Sequence, residues 1–354
     1  MSELINFVFY NFEKMIYPKI PLAQSIIQIC LEKGITNIII SPGSRNAPLT
    51  IGFVSNPAFQ CYSIADERCA AFFALGIAQQ THQPAALVCT SGSALLNYYP
   101  ALAEAFYSQI PLIVISADRP QSKIDIGDGQ TIRQENVYSN HSLYNANLHE
   151  DVSPENDKKI NEAIDTAKIQ KGPVHINAPF EEPLYETVSE LIVSPIIDTY
   201  VKENQSESIV DIANMVADWN KSTRKMVLVG VNEPHTINQK IIERLADDES
   251  VVVLTETTSN LHHPSFVNSI DTLITLFTPA DFEDFQPEIL ITFGGMIVSK
   301  RIKAFLRKYK PKQHWHIDTL RAYDTFGASP RHIKTNPNDF FEAFLPQTES
   351  IESD

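Results

Sequence analysis

Short runs of consecutive apolar residues alternate with segments of helical periodicity through the first half of the chain, and this alternation constrains its fold most strongly. A strand that is apolar on both faces must be buried on both, as happens in a parallel sheet covered by helices. We therefore predict an α/β fold built on a doubly wound parallel sheet. The apolar runs lie at residues 38–40, 85–89 and 112–115, and the segment 174–177 closes the set of predicted strands.

The same alternation returns in the second half and predicts a second doubly wound parallel-sheet domain. A chain of 354 residues is also longer than one ordinary hydrophobic core requires. Residues 186–207 carry Ser, Glu, Asn and Gln with little helical periodicity, which is typical of a linker. The predicted organisation is a first domain at 1–185, the linker at 186–207, a second domain at 208–345 and a frayed polar tail at 346–354.

Composition and charge exclude several classes of protein. The formal net charge is −15, which argues against nucleic-acid binding because proteins that bind nucleic acids carry basic surfaces. No apolar run approaches the length that crosses a bilayer, and residues 4–10 lack the basic start and the cleavage site of a signal peptide. Four cysteines without C-x-x-C spacing indicate reduced thiols and a cytoplasmic protein.

Three turns that lead from a predicted strand into a predicted helix carry residues suited to chemistry. The carboxyl ends of parallel strands share one edge of a sheet, where ligands bind, so we expect the three turns to lie close together. Glu67 lies in the first turn of a helix, where the helix dipole favours an ionised acid. Ser44 can cap the helix that follows it. Thr90, Ser91 and Gly92 offer hydroxyls and a flexible amide to an anion, although a plain helix cap explains them equally well.

Arg45 and Arg119 follow two different predicted strands and should therefore project at the same edge of the sheet. The planar guanidinium group suits bidentate bonds to a carboxylate or a phosphate, so the pair favours an anionic substrate. Gln130 lies in the polar, glycine-bearing loop after Arg119, which has the character of an active-site loop. The alternative is that these side chains are ordinary solvated loop residues.

Lys300 and Arg301 are adjacent cations early in a predicted helix of the second domain. In an acidic protein such a pair could clamp a carboxylate, and a solvated helix face explains it equally well.

One apparent metal motif does not fit its context. Gly127-Asp128-Gly129 with Asn156 downstream mimics a metal–diphosphate motif, but Asn156 precedes a helix where that motif needs an Asn delivered by a strand. We therefore predict no metal ligand in this chain.

Six segments together resemble one family of enzymes more specifically than any of them does alone. The segments are SPGSRNAPLT at 41–50, DERCAAFFALGIA at 66–78, TSGSALLNYYPALAEA at 90–105, SADRP at 116–120, GQTIRQ at 129–134 and GPVHINAPFEEPLY at 172–185. They resemble the 2-succinyl-5-enolpyruvyl-6-hydroxy-3-cyclohexene-1-carboxylate synthases of menaquinone biosynthesis, which are thiamine diphosphate-dependent enzymes. The resemblance covers nearly the whole chain, and its two domains are similar to the pyrimidine-binding and central domains of that family.

The resemblance implies cofactors, substrates and roles for particular residues. The cofactors are thiamine diphosphate and Mg²⁺ or Mn²⁺, and the implied transferase reaction decarboxylates 2-oxoglutarate and adds the resulting carbanion to isochorismate. Glu67 matches the catalytic glutamate that hydrogen-bonds N1′ of the aminopyrimidine, and Thr90, Ser91 and Gly92 match cofactor-binding positions. The positions that match the substrate pocket are Ser44, Arg45, Arg119, Gln130, Lys300 and Arg301.

The resemblance also raises an expectation about completeness. The family continues into a third domain that binds the diphosphate and its metal, whereas this sequence stops at Asp354. We therefore expect the chain to hold half of each active site, to be inactive alone, and to act within a homodimer or higher homo-oligomer. Two alternatives stay open: another thiamine diphosphate enzyme of 2-oxo acids, such as an acetohydroxyacid synthase, and a non-catalytic metabolite-binding module.

Overall fold

Two compact units make up the chain, and the division between them falls between residues 202 and 203. The computed structural model describes residues 15–198 and 211–350. Each unit has its own parallel sheet, helices on both faces of that sheet, and its own hydrophobic core. The doubly wound α/β class that the sequence predicts is therefore confirmed for both units.

The first unit is built from eight strands and five α-helices among its described residues. In chain order they are β1 (Tyr17–Pro18), α1 (Pro21–Glu32), β2 (Asn37–Ile40), α2 (Ala47–Val54), β3 (Gln60–Ser63), α3 (Glu67–Thr81), β4 (Ala85–Cys89), α4 (Tyr99–Ser108), β5 (Leu112–Asp118), β6 (Tyr144–Asn147), α5 (Pro154–Gln170), β7 (Val174–Pro179) and β8 (Thr187–Val188). Short 3₁₀ helices lie at Gly92–Tyr98 and Gln121–Lys123.

Six parallel strands form the main sheet of this unit in the order β3-β2-β4-β5-β7-β6, and β1 pairs with β8 in an antiparallel ribbon. Alternate residues of each strand face opposite layers. One layer contains the apolar sides of α1 and α5, including Ile26 and Ile164. The other contains those of α3 and α4, including Ala74 and Leu102. Because β2, β4 and β5 are adjacent and parallel in this sheet, their carboxyl ends are neighbours.

The second unit has a five-stranded parallel sheet in the order β10-β9-β11-β12-β13. Its described elements are α6 (Ile212–Lys221), β9 (Lys225–Val229), α7 (Gln239–Ala246), β10 (Val251–Thr255), α8 (Ile270–Thr275), α9 (Pro279–Phe285), β11 (Ile289–Phe293), α10 (Lys300–Lys308), β12 (Gln313–Ile317), β13 (Arg331–Ile333) and α11 (Pro337–Phe344), with 3₁₀ turns at Thr257–Ser259 and Leu345–Gln347. No helix among residues 15–198 and 211–350 is long and apolar enough to cross a membrane.

Two boundary expectations change in the structure. The first part of the predicted linker, residues 186–198, is bonded to the first unit, because β8 pairs with β1 and the amide of Ile196 donates to Asp157 Oδ2 at 2.9 Å; residues 199–207 lie outside the described part. The prediction of a frayed tail from Pro346 is wrong up to Glu349. Thr348 is buried, and the amide of Glu349 donates to Asn220 Oδ1 at 3.1 Å.

Gly230, directly after β9, has no room for a side chain. A Cβ at this position would lie 2.0 Å from the backbone carbonyl oxygen of Gly295, so one of the two chain segments would have to move. We expect Gly230→Ala to lower the free energy of unfolding of the second unit by about 3 kcal/mol. Urea unfolding followed by tryptophan fluorescence measures this directly, since both tryptophans, Trp219 and Trp315, lie in the second unit.

Gly76→Ala in helix α3 is the control, because nothing lies within 4 Å of a Cβ placed there. Since Gly76 lies in the first unit, the unfolding of this variant is followed by circular dichroism. Alanine in a helix is more favourable than glycine by roughly 0.5–1 kcal/mol, so this variant should be as stable as the parent or slightly more so. An unfolding midpoint of Gly230→Ala equal to that of the parent would contradict the close approach of the two segments.

Candidate active site

The turns after β2 and β4 lie side by side at the carboxyl edge of the first sheet. The amide of Arg45 donates to Thr90 Oγ1 at 3.3 Å. Gly43 packs so closely on Thr90 that a Cβ at Gly43 would lie 2.4 Å from the Thr90 Cβ. Glycine is therefore required at this contact, and the expectation that the two turns lie together is met by direct contacts between them.

Glu67 is the first residue of α3, and the preceding Asp66 caps this helix. The Asp66 carboxylate accepts hydrogen bonds from the amides of Arg68, at 2.9 Å, and Cys69, at 3.2 Å. The side chain of Arg68 also bonds to this carboxylate and contributes most to lowering its pKa. Together with the amide bonds, it lowers the pKa of Asp66 to about 2. Asp66 thus accepts the hydrogen bonds of the first amides of the helix, and the Glu67 carboxylate is not needed for capping.

The Glu67 side chain is half-buried and makes no hydrogen bond or ion pair with any residue in the described ranges. It lies near the end of β4: burial raises the pKa of the Cys89 thiol, and the negative charge of Glu67 adds to that rise. Glu67 is therefore a half-buried acceptor beside the edge where ligands of parallel sheets bind.

Arg119 joins three of the predicted site residues into one cluster. Its Nη1 donates to Ser91 Oγ at 2.9 Å and to the carbonyl oxygen of Gln130 at 3.1 Å. Ser91 Oγ also donates to the Gln130 carbonyl oxygen at 3.1 Å. Gln130 takes part through its backbone, whereas its side chain is exposed. Arg119 also forms an ion pair with Asp128, whose Oδ2 lies 3.2 Å from Arg119 Nε.

Arg45 is more deeply buried than the sequence suggests. Its Nη1 donates to the carbonyl oxygen of Phe180 at 3.0 Å, and its Nη2 pairs with Glu182 Oε1 at 3.1 Å. The Arg45 side chain is 7% exposed and that of Glu182 is 67% exposed. The guanidinium group thus already has internal partners at the edge of the sheet.

The expectation that Ser44 caps α2 is wrong. The helix begins at Ala47, with Asn46 at the capping position, and Ser44 is exposed. Asn46 makes no capping bond either, because its Nδ2 donates to the carbonyl oxygen of Ser41 at 3.0 Å. Ser44 therefore has its hydroxyl at the surface of this edge, where a ligand could reach it.

Gly92 adopts a left-handed conformation with φ +84°, and its amide donates to Gln134 Oε1 at 2.8 Å. A Cβ on Gly92 would lie 3.0 Å from the Gln130 carbonyl oxygen. The amide that we expected to face an anion is therefore occupied by a side chain. Gly92 instead allows the turn after β4 to fit against the loop after β5.

A buried polar network, which the sequence analysis did not identify, fixes that loop. Gln134 Nε2 donates to Asn177 Oδ1 at 2.8 Å and to the Ala117 carbonyl oxygen at 3.1 Å. Ser116 Oγ donates to Asn177 Oδ1 at 2.9 Å and lies 2.7 Å from His175 Nε2. A Ser116 hydroxyl that donates to Asn177 is matched by the His175 tautomer that carries its proton on Nε2. Polar residues at alternate positions of β5 and β7 were the sequence signal for this network.

His175 is fully buried, and burial lowers its pKa to about 3 because the charged imidazolium would lose its hydration. Asp118, at the end of β5, shows the opposite response. Burial raises the pKa of its carboxyl group, although hydrogen bonds from Asn177 Nδ2 and the Arg119 amide partly offset that rise. The network therefore continues from the core to the backbone of Arg119.

Lys300 and Arg301 begin α10 in the second unit, and both side chains are exposed. Ser299 caps this helix by accepting from the Ile302 amide at 3.1 Å. Neither cation has a hydrogen-bond or ion-pair partner among the residues that the structure describes. They are thus available to an anion, and they lie in a different unit from the other predicted site residues.

The Asn156 side chain is used in local hydrogen bonds that hold the start of α5. Asn156 is buried, accepts from the His149 amide, and donates to the carbonyl oxygens of His149 and Asp151. Within residues 15–198 and 211–350, no group of three or more His, Cys, Asp or Glu residues is arranged to hold a metal ion.

Comparison with known families now identifies the class of protein. Residues 20–141 match the profile described as "Thiamine pyrophosphate enzyme, N-terminal TPP binding domain", and residues 197–352 match "Middle domain of thiamine pyrophosphate". Thiamine pyrophosphate and thiamine diphosphate are the same compound. The chain therefore belongs to the thiamine diphosphate-dependent enzymes, and it contains their N-terminal and middle domains.

Individual relatives narrow the similarity to one branch. The chain is 72% identical over 340 residues to the 2-succinyl-5-enolpyruvyl-6-hydroxy-3-cyclohexene-1-carboxylate synthase of Flavobacterium johnsoniae. The aligned residues make up 96% of the chain and 61% of that protein. It is 68% identical over 339 residues to the synthase of the same name from Flavobacterium psychrophilum, and the aligned residues again make up 96% of the chain and 61% of the relative. For that of Porphyromonas gingivalis, identity is 39% over 321 residues, 88% of the chain and 55% of the relative. The chain thus spans less than two thirds of the length of these curated relatives.

Proposed function

We propose that this chain forms the aminopyrimidine-binding and central parts of a synthase that decarboxylates 2-oxoglutarate and adds the resulting four-carbon unit to isochorismate in menaquinone biosynthesis. The observation that carries this proposal is Glu67, a half-buried carboxylate without a partner among the described residues, at the carboxyl edge of a thiamine diphosphate-type domain. Strong similarity to the synthases of two Flavobacterium species supports the choice of reaction.

The residues of this chain fit the aminopyrimidine end of thiamine diphosphate. A carboxylate at Glu67 can accept a hydrogen bond from a protonated ring nitrogen and exchange that proton with it, which is the role of a general acid–base. When bound, the cofactor would supply an electron sink for the loss of carbon dioxide. Thr90, Ser91 and Gly92 would line the same edge. Mg²⁺ or Mn²⁺, with the diphosphate, would be held outside this chain.

The cationic side chains would select the substrates. Arg119 and Arg45 lie at the edge of the first sheet, and their guanidinium groups can form charge-assisted bonds to carboxylates. Lys300 and Arg301, both exposed in the central domain, carry charges that suit a carboxylate in the same way. Ser44 and Gln130, both exposed, would make polar contacts to the same ligands. Both proposed substrates are carboxylates, so cations at these positions suit them.

The proposed reaction is tested by joining this chain to the part of the F. johnsoniae synthase that it does not span. We expect the fused protein, with thiamine diphosphate and Mg²⁺, to convert 2-oxoglutarate and isochorismate to the adduct, detected by mass spectrometry. We expect the chain alone to be inactive. Condensation of two pyruvate molecules in place of this reaction would instead favour an acetohydroxyacid synthase. Turnover by the chain alone would refute its proposed incompleteness.

We further propose that the protein associates through the outer surface of α3 and α4. Phe72 is 50% exposed, Phe73 is 43% exposed and Tyr107 is 49% exposed on these two helices, and exposed apolar groups of this size favour association. Phe72→Asp should therefore lower the mass measured by sedimentation equilibrium from that of a homodimer towards a monomer. Gln79→Asp, on the same helix, should leave the mass unchanged. A monomeric parent, or a dimeric Phe72→Asp variant, would contradict this surface.

The proposed compartment is the cytoplasm, which is supported by the free thiols of all four cysteines.

A further inference from the structure

The Arg119 guanidinium group is incompletely satisfied although its side chain is only 14% exposed. Its Nη1 donates to two neutral oxygens, those of Ser91 and the Gln130 carbonyl. Its Nε–H is buried and makes no hydrogen bond. Asp128 Oδ2 lies 3.2 Å from Nε, so the two groups form an ion pair without the alignment of a hydrogen bond. The partner carboxylate is therefore close to Arg119 but poorly matched to it.

Asp128 lies in an open part of the loop and its other bonds are local: its Oδ1 accepts from the Gly129 amide at 3.0 Å, and its carbonyl oxygen accepts from Thr131 Oγ1 at 2.7 Å. Its side chain is 41% exposed, and it lies between Gly127, which has φ +87°, and Gly129. Apart from the glycine itself and its chain neighbours, no atom lies within 4 Å of a Cβ built on Gly127 or Gly129. The end of the loop is fixed separately by the buried Gln134. Asp128 can thus leave Arg119 without disturbing the polar network under the loop.

A second arginine of the site is paired in a similar way. The buried Arg45 carries the exposed carboxylate of Glu182 on its Nη2. Both arginines that we propose for substrate binding are therefore covered by an exposed carboxylate from the same chain. A carboxylate ligand would have to displace Asp128 to make aligned bonds to Arg119.

We propose that Asp128 is an internal competitor for the carboxylate site of Arg119, and that it weakens the binding of carboxylate substrates until it is displaced. This inference rests on the proposed function, because it takes Arg119 as a substrate-binding residue. The chemical class selected is a carboxylate that can bind the guanidinium group in a bidentate way, which gives the Nε–H the acceptor it lacks. Asp128 then sets affinity and specificity without touching the reacting atoms.

The test compares Asp128→Asn with Asp125→Asn in the purified chain. Asp125 is on the same loop and pairs with Arg133 at 2.8 Å, away from Arg119, so it is a matched control. The rate at which phenylglyoxal modifies Arg119 is followed by peptide mass spectrometry, first alone and then with 2-oxoglutarate or isochorismate as a protecting carboxylate. Asp128→Asn should speed the modification of Arg119 and lower the half-protecting concentration by about three- to tenfold. Asp125→Asn should change neither value.

The possible results separate this inference from the proposed function. Unchanged reactivity of Arg119 in Asp128→Asn, or weaker protection than in the parent, would overturn the competition while leaving Arg119 a candidate substrate residue. Faster modification without protection by either carboxylate, in parent and variant alike, would overturn both proposals. Circular dichroism of each variant checks that the fold is kept.

Discussion

Replacing Glu67 with Gln is expected to lower the rate of 2-oxoglutarate decarboxylation by about 10²- to 10⁴-fold, the range typical of a lost general acid–base. The amide has the size of the carboxylate and keeps an oxygen acceptor, but it cannot exchange a proton with a ring nitrogen. The helix start should be unaffected, because Asp66 makes the capping bonds. The measurement is steady-state decarboxylation by the fusion of this chain with the remaining part of the F. johnsoniae relative.

Glu104→Gln is the matched control for the Glu67 experiment. Glu104 is an exposed carboxylate on α4 that accepts a hydrogen bond from Ser108, and the same chemical change there should leave the rate unchanged. If Glu67→Gln decarboxylates 2-oxoglutarate as fast as the parent, Glu67 does not have the proposed proton-transfer role.

The second large effect is expected in the pH dependence of stability. The pKa of His175 is about 3 in the folded chain and about 6.5 in an unfolded one. Below pH 6.5 the unfolded state therefore takes up a proton that the folded state does not bind, and the free energy of unfolding falls as the pH drops. The loss begins near pH 6.5, is complete near pH 3 and amounts to about 5 kcal/mol for the first unit.

His175→Gln should remove this contribution, since glutamine does not titrate and can still donate to Ser116. The slope of unfolding free energy against pH between 6 and 4 should decrease by the equivalent of one proton, about 1.4 kcal/mol per pH unit. Amide hydrogen exchange of peptides containing β7 measures the first unit by itself. His262→Gln, a change in the second unit, should leave that slope as in the parent. An unchanged slope in His175→Gln would mean that His175 titrates normally.

The main strands of both sheets could be predicted because a strand buried on both faces has few polar residues. The apolar runs at 85–89 and 289–293 coincide with β4 and β11. β6, with the sequence YNAN, was not predicted, because an edge strand at a partly exposed position needs no apolar run. The helical pattern of residues 93–108 does not show that this segment begins as a 3₁₀ helix over Gly92–Tyr98 and becomes α-helical only at Tyr99, one residue before Pro100.

The candidate site was predictable as a set of turns but not as a set of contacts. The order of strands brings together the ends of β2, β4 and β5, as the rule for parallel sheets predicts. The burial of Arg45 could not be predicted, because its partners Phe180 and Glu182 come from a distant part of the chain. The contact of Arg119 with Ser91 could not be predicted either, because Ser91 follows a different strand. Gln134 ends the segment GQTIRQ, but its structural role could not be predicted because its partners lie on β5 and β7.

Proton exchange on the bound cofactor tests the central claim most directly. In the fused protein with thiamine diphosphate and Mg²⁺, the acidic C2 proton of the thiazolium ring is exchanged for deuterium, and the reaction is stopped with acid and followed by NMR. We predict rapid exchange in the parent and exchange slower by at least about a hundredfold in Glu67→Gln with the cofactor still bound. Equal exchange rates in the two proteins would contradict the role that we assign to the Glu67 carboxylate.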